Sequence, residues 1–165
     1  MYEIGEYIVH PGQGVCRVED IVEEPSAMYL LMPVGQRHPM KITYPIANAD
    51  RLRPVLSRDE AQELIAQYPD MQPDSYTDRS NALEEEHFKR EIRTGTCRDS
   101  MRIVKTFRLR IAETRARNKK PPVVYERILK QASERSLGEL SVALEMPVED
   151  VRMLFEQQED EADNN

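Results

Sequence analysis

At about residue 56 the spacing of apolar residues changes from every second position to every third and fourth, so one layer of secondary structure cannot serve both halves. Before the change, short β-prone runs are cut by turn residues. Tyr7-Ile8-Val9-His10 is followed by Pro11-Gly12-Gln13-Gly14, where proline presets φ and the glycines permit positive φ. Residues 15–22 alternate imperfectly, with Cys16 and Val18 on one face and Arg17 and Glu19 on the other, until Glu23-Glu24-Pro25-Ser26 breaks the run. Met28-Tyr29-Leu30-Leu31-Met32 is apolar throughout and short, as a central strand is. Gly35 to Pro39 turns the chain, and residues 40–44 then alternate cleanly, with Met40, Ile42 and Tyr44 inward and Lys41 and Thr43 outward. After Pro45 and the turn Asn48-Ala49-Asp50, residues 51–55 can close the sheet. Five strands with turns this tight predict a small curled sheet or β-barrel over residues 1–56.

From residue 57 the pattern is helical. Ser57-Arg58-Asp59-Glu60 reads as a capping box before Ala61, Leu64 and Ile65, and Tyr68-Pro69 ends that helix. Residues 70–80 read as a loop. Ser80 or Asn81 caps a helix carrying Leu83, Phe88 and Ile92, which Thr94-Gly95 stops. Thr96 with Asp99 is a second capping box, opening a helix from Cys97 to about Asn118 whose apolar stripe is Ile103, Val104, Phe107 and Ile111. After Pro121-Pro122, apolar positions from Val124 to Leu144 sustain a helix across Gly138. Glycine there costs about 1 kcal/mol against alanine, and close packing against another helix is the expected reason for it. Met146-Pro147 introduces a last helix with Val148, Val151, Leu154 and Phe155 apolar, and the acidic end, Glu156 to Asn165, is expected to fray.

Charge is distributed unevenly. The net charge is −7, yet residues 89–120 hold twelve of the 23 Lys and Arg residues and only Glu91, Asp99 and Glu113 as acids, a local charge of +9. Surfaces act over a Debye length of about 8–10 Å, so the local excess decides what they attract. An anionic partner, nucleic acid, is expected for the cationic face of this helix. Tryptophan is absent and there are three phenylalanines, so the core is mostly aliphatic. No apolar run approaches the ~20 residues of a membrane span, and no secretory signal is visible. With two widely separated cysteines, Cys16 and Cys97, expected to stay reduced, a cytoplasmic protein is expected.

His10 and His38 stand alone, without a carboxylate pair or cysteine cluster, so no catalytic residues, metal ligands or cofactor are expected. A helix-turn-helix reading of residues 136–157 competes with simple helix packing. Its second helix would offer Glu149, Asp150 and Glu156 against a single Arg152, and residues 145–165 carry eight acids and one base. Such a surface repels phosphate, so packing is the preferred reading and a free-standing helix-turn-helix repressor the alternative.

Residues 5–15, Gly-Glu-Tyr-Ile-Val-His-Pro-Gly-Gln-Gly-Val, resemble the opening signature of the CarD-like family, where G-D-x-V-V-Y-P-x-H-G-V is typical. Residues 40–49 followed by Leu52-Arg53-Pro54-Val55 are similar to the same family's later strand, proline and asparagine turn. The departures, His10 and Gln13 where Tyr and His are common, bear on packing more than on contact. Arg93-Thr94-Gly95 and residues 137–144 are similar to the family's helical domain. The resemblance implies an α+β protein: an N-terminal small Tudor-like β-barrel at 1–56, then an all-helical DNA-binding domain at 57–165 with an acidic tail. It further implies a monomeric bacterial transcription regulator whose barrel binds the RNA polymerase β subunit. Its helical domain would touch promoter DNA, largely without sequence specificity, and change the lifetime of the open complex.

Site expectations follow from both lines. Lys41, Ile42, Thr43 and Tyr44 are expected at the polymerase contact, because an exposed strand edge invites strand pairing. Arg90, Arg93, Arg117, Lys119, Lys120, Arg127 and Lys130 are expected to contact phosphates. The family's minor-groove wedge, a tryptophan, has no counterpart in this chain. Tyr76, with Arg79 nearby, is the nearest aromatic in the loop; it either wedges or covers the start of the next helix, and Asn81 or Ala82 occupies the wedge position in other registers.

Overall fold

A computed structural model describes the backbone of residues 1–163 and the side chains of residues 1–159. It divides into two compact units, residues 1–57 and 58 onward, close to the boundary at which the apolar period changes.

The first unit is one antiparallel sheet: β1 (Tyr7–His10), β2 (Gly14–Val22), β3 (Met28–Pro33), β4 (Ile42–Pro45) and β5 (Arg53–Pro54), with a 3-10 segment, Ile46–Arg51, between the last two. The strand order is β4-β3-β2-β1-β5. No pairing joins β4 to β5 among the described residues, so the sheet is open in its hydrogen bonding rather than a closed barrel. The β1–β2 turn needs a positive φ, and Gly14 supplies it at +79°. The imperfect alternation of β2 has a structural cause: the register with β3 shifts between Val18 and Asp20. The extra residue lets Val18 and Ile21, three positions apart, both face the core. That core is Ile8, Cys16, Val18, Tyr29, Leu31 and Leu52. Tyr29 is fully buried, and its hydroxyl accepts the Tyr2 backbone N–H at 2.8 Å, as a buried phenol requires. Met40 is a correction: it precedes β4 and is 78% exposed instead of pointing inward.

The second unit holds α1 (Arg58–Gln67), a 3-10 turn (Tyr68–Asp70), an extended segment 71–80, α2 (Asn81–Thr94), α3 (Cys97–Ala116), α4 (Val123–Leu144) and α5 (Val148–Asp163). Ser80 caps α2 by accepting from the N–H groups of Ala82 and Leu83. Thr96 and Asp99 form the reciprocal capping box of α3. Gly95 lies between α2 and α3 at φ −90°, so no left-handed conformation demands it. A Cβ there would lie 2.5 Å from the Glu91 carbonyl oxygen and 2.7 Å from Asp99 Oδ2, so the close approach of the capping box excludes any side chain.

α3 ends two residues before Asn118. Asn118 is left-handed at φ +57°, and the N–H groups of Asn118 and Lys119 bond the carbonyls of Arg115 and Thr114, a Schellman closure. α4 closes the same way, with Glu145 in the left-handed position and the N–H groups of Glu145 and Met146 on the carbonyls of Val142 and Ser141. α4 runs unbroken through Gly138. A Cβ at Gly138 would meet open space, so tight helix packing does not explain this glycine.

The stripe of α3 packs as its spacing predicts. Ile103, Val104 and Phe107 join Phe88, Ile92, Val124, Ile128 and Ala132 in one cluster, and Phe107 sits edge-on to Phe88 at 4.9 Å and to Tyr125 at 5.2 Å. α5 anchors through Val151 and Phe155, the latter edge-on to Tyr68 at 5.0 Å.

Candidate docking edge and nucleic-acid interface

β4 is an edge strand. Its four residues pair with β3 alone, Thr43 opposite Leu30 and Ile42 opposite Leu31. Ile42 and Tyr44 turn inward onto the core, and the Tyr44 hydroxyl donates to the Asn48 carbonyl at 3.1 Å. Thr43 is exposed on the strand, and Lys41 is exposed just before it. The side chains outside and inside thus follow the alternation, while the free backbone edge is available to another strand. Beside Tyr44, His10 stands edge-on at 5.3 Å. Its Nδ1 accepts the N–H groups of Gly12 and Gln13, which gives this histidine a local role in shaping the β1–β2 turn.

The cations of residues 89–120 do not all face solvent. Arg110 lies against the rings of Phe88 and Phe107, 5.6 and 5.0 Å from their centroids, and donates to the carbonyls of Asp74 and Tyr76. Its other partner is Glu84, at 3.8 Å. Lys105 donates to the carbonyls of Tyr68 and Pro69, and burial holds its pKa below the usual lysine range. Arg108 reaches the Tyr68 hydroxyl and Glu159, Arg102 pairs with Asp99, and Arg98 bonds Gln67. Most of the positive charge in the middle of α3 therefore ties the helix to its neighbours. Sequence reasoning missed this inward use, because spacing gives the direction of a side chain but not the carbonyl it meets.

The cations expected to meet phosphate lie around the ends of this helix and on α2 and α4. Arg93, Arg117, Lys119, Lys120 and Lys130 are exposed, as is Arg79 in the loop. Arg90 is exposed with a loose i,i+4 pairing to Glu86 at 3.7 Å. Arg127 is bound to Glu85 at 2.8 Å, and Lys89 takes the same carboxylate at 2.7 Å. The hydrogen bonds from Lys89 and then Arg127 hold the Glu85 carboxyl below its usual range, so Arg127 is the most committed of the set. α2 and α4 run side by side in the same direction: Arg127 meets Glu85, and Arg135 donates to the Arg93 carbonyl. Arg90 and Arg93 share one shallow surface with Lys89 on α2, whereas Lys130 borders a groove of α3, α4 and α5 with Arg108 and Arg152. The expected cations are thus spread over the unit instead of gathered in one cleft.

Tyr76 is built into the loop. Its ring stacks on His87 at 3.6 Å with 12° between planes and stands edge-on to Phe88 at 5.8 Å. Its hydroxyl donates to Asp78 Oδ2, which raises the pKa of the phenol. Ala82 and Asn81, exposed in the first turn of α2, have no stacking role. The pair His87 and Glu91, with Asp74 facing them across the loop, was also missed; its only sequence signal is the i,i+4 spacing.

Residues 136–157 form the second half of α4, the turn at Glu145 and the first part of α5. Glu149, Asp150 and Glu156 are exposed on α5, and Arg152 pairs with Glu149 at 3.4 Å. The α5 surface is therefore acidic, the wrong sign for a groove reader. No helix among the described residues is long and apolar enough to cross a membrane.

No curated protein matches the chain. The family model of the CarD-like/TRCF RID domain matches residues 2–56, which is the span of the open sheet and its edge strand. The N-terminal unit of this chain belongs to the CarD-like family of RNA-polymerase-interacting domains.

Proposed function

We propose that the protein is a bacterial, cytoplasmic, non-enzymatic transcription regulator that docks on the RNA polymerase β subunit through its N-terminal unit and touches promoter DNA through its helical unit. The match of residues 2–56 to the RNA-polymerase-interacting family carries this reading. Edge strand β4 supports a docking mode in which Thr43 and the backbone of Ile42–Tyr44 add to a strand of β, with Lys41 beside them. Arg90, Arg93, Arg117, Lys119, Lys120 and Lys130 supply phosphate contacts, with Arg79 and Arg127 at the margins. Each contact alone is weak; joined in one chain they reinforce each other through effective concentration, and the open complex changes its lifetime without any chemical step.

Tyr76 serves DNA only if its stack on His87 survives or is exchanged for a base step. The whole protein immobilised on resin should retain core polymerase from a bacterial lysate and purified β from solution, and Lys41→Glu with Thr43→Glu should weaken retention at least about tenfold. Retention unchanged by that pair would remove β4 from the interface. Open-complex lifetimes that are equal for the wild type, Tyr76→Ala and Tyr76→Trp would leave phosphate contact as the sole DNA mode.

A further inference from the structure

We propose that Asp74, His87 and Glu91 form a binding site for one divalent transition-metal ion, with zinc the best match to their chemistry. One oxygen of Asp74, one imidazole nitrogen of His87 and one oxygen of Glu91 lie within 4.8 Å of one another, and all three residues are partly buried. An imidazole with two carboxylates is a borderline, nitrogen-and-oxygen donor set, and three protein ligands with a fourth open position is a common zinc arrangement. Bonds of 2.0–2.2 Å in a tetrahedron place ligand atoms about 3.4 Å apart, so a small side-chain rotation closes the site.

His87 and Asp74 are each held by groups outside the cluster, and Glu91 is placed by its helical register with His87. His87 and Glu91 are one helical turn apart on α2, with Nε2 and Oε1 at 3.5 Å. The imidazole is clamped flat against Tyr76 and edge-on to Phe88 at 4.9 Å, which fixes its plane. Asp74 comes from segment 71–80, whose backbone is pinned independently: the Asp74 N–H donates to Thr106 Oγ1 at 2.8 Å, and Arg110 holds the Asp74 carbonyl. Asp74 Oδ1 accepts the Tyr76 N–H, an Asx turn that aims the carboxylate.

The charges around the cluster favour a cation. Asp74, Glu91 and Asp99 contribute negative charge, and Arg102, paired with Asp99, and His87 oppose it. A divalent ion bound there staples the segment that carries Asp74 and Tyr76 to α2 without any reaction.

Zinc ion is added to the full-length protein after EDTA treatment and dialysis. One equivalent should raise Tm and shift the imidazole resonances of His87 alone among the three histidines. Cobalt(II) should give the visible bands of tetrahedral coordination. Glu91→Gln and Asp74→Asn should each weaken zinc binding about tenfold or more, the scale on which disturbed metal sites respond, and neither removes the Tyr76–His87 stack. The proposal is overturned if zinc moves His10 or His38 instead, if both variants bind as tightly as the wild type, or if Tm does not change.

Discussion

The Arg110 guanidinium stands 3.8 Å from the Glu84 carboxylate, with side chains only 15% and 5% exposed. The pair joins the middle of α3 to the first turn of α2, and Glu84 Oε1 in turn accepts the Asp78 N–H at 2.9 Å. Together with the bonds from Arg110 to the Asp74 and Tyr76 carbonyls, it fixes segment 71–80, on which both Tyr76 and Asp74 ride.

Removing one partner leaves the other charge buried. Arg110→Met should destabilise the protein by about 3 kcal/mol, the usual scale for breaking a buried pair, and expose the segment to protease. Adding Glu84→Leu should restore part of that loss. Urea midpoints and the rate of cleavage within residues 71–80 check both outcomes. A double variant no more stable than the single one would show that the carbonyl bonds of Arg110, not the ion pair, hold the segment.

Two backbone positions in the second unit leave stability unused. Gly138 lies inside α4 with open space where a Cβ would go, so Gly138→Ala should add about 1 kcal/mol. Glu145 is a non-glycine residue at φ +54° and an acid at a helix C-terminus, so Glu145→Gly should add about 0.5–1 kcal/mol, less the exposed Arg58 contact at 3.1 Å. The two sites are about two helical turns, ~10 Å, apart on α4 and share no contact partner, so the gains should add in thermal unfolding.

Tyr68 predicts a loss of stability in alkali. Burial pushes its phenol up to about 12 from the ordinary value of 10.0. The folded state therefore keeps a proton that the unfolded chain releases, so this contribution is complete below pH 10 and is lost as pH rises through about 12. Lys105, whose pKa burial lowers, acts in the opposite sense, and its effect falls below the ordinary lysine value of 10.5. Comparing the wild type with Tyr68→Phe isolates the phenol: between pH 10 and 11.5 the wild type should lose more stability, by roughly 1.5 kcal/mol.

Lys119 and Lys120 should act on DNA without acting on the fold. Both are exposed in the α3–α4 connection. Replacing both with alanine should leave Tm unchanged and lower the slope of log affinity against log salt by about 2, equally for unrelated sequences. An unchanged slope would mark the pair as solvated surface.

The change of apolar period, the Thr96–Asp99 capping box and the stripe Ile103, Val104, Phe107 and Ile111 were legible in the sequence, because each is a local pattern that backbone geometry converts directly into structure. The inward and outward faces of β4 were legible as alternation, but its place at the sheet edge is set by the strand order. What the tertiary structure decided is where long side chains and non-adjacent segments meet. Sequence placed positive charge around α3, but only the packed neighbours turned Lys105, Arg108 and Arg110 inward, since a flexible stem binds whichever carbonyl or carboxylate the fold brings within reach. The same holds for Tyr76 on His87, for Asp74 beside Glu91 and for the bulge that lets Ile21 face the core. Spacing along one chain sets direction, whereas proximity between segments depends on a loop path that the whole unit fixes at once.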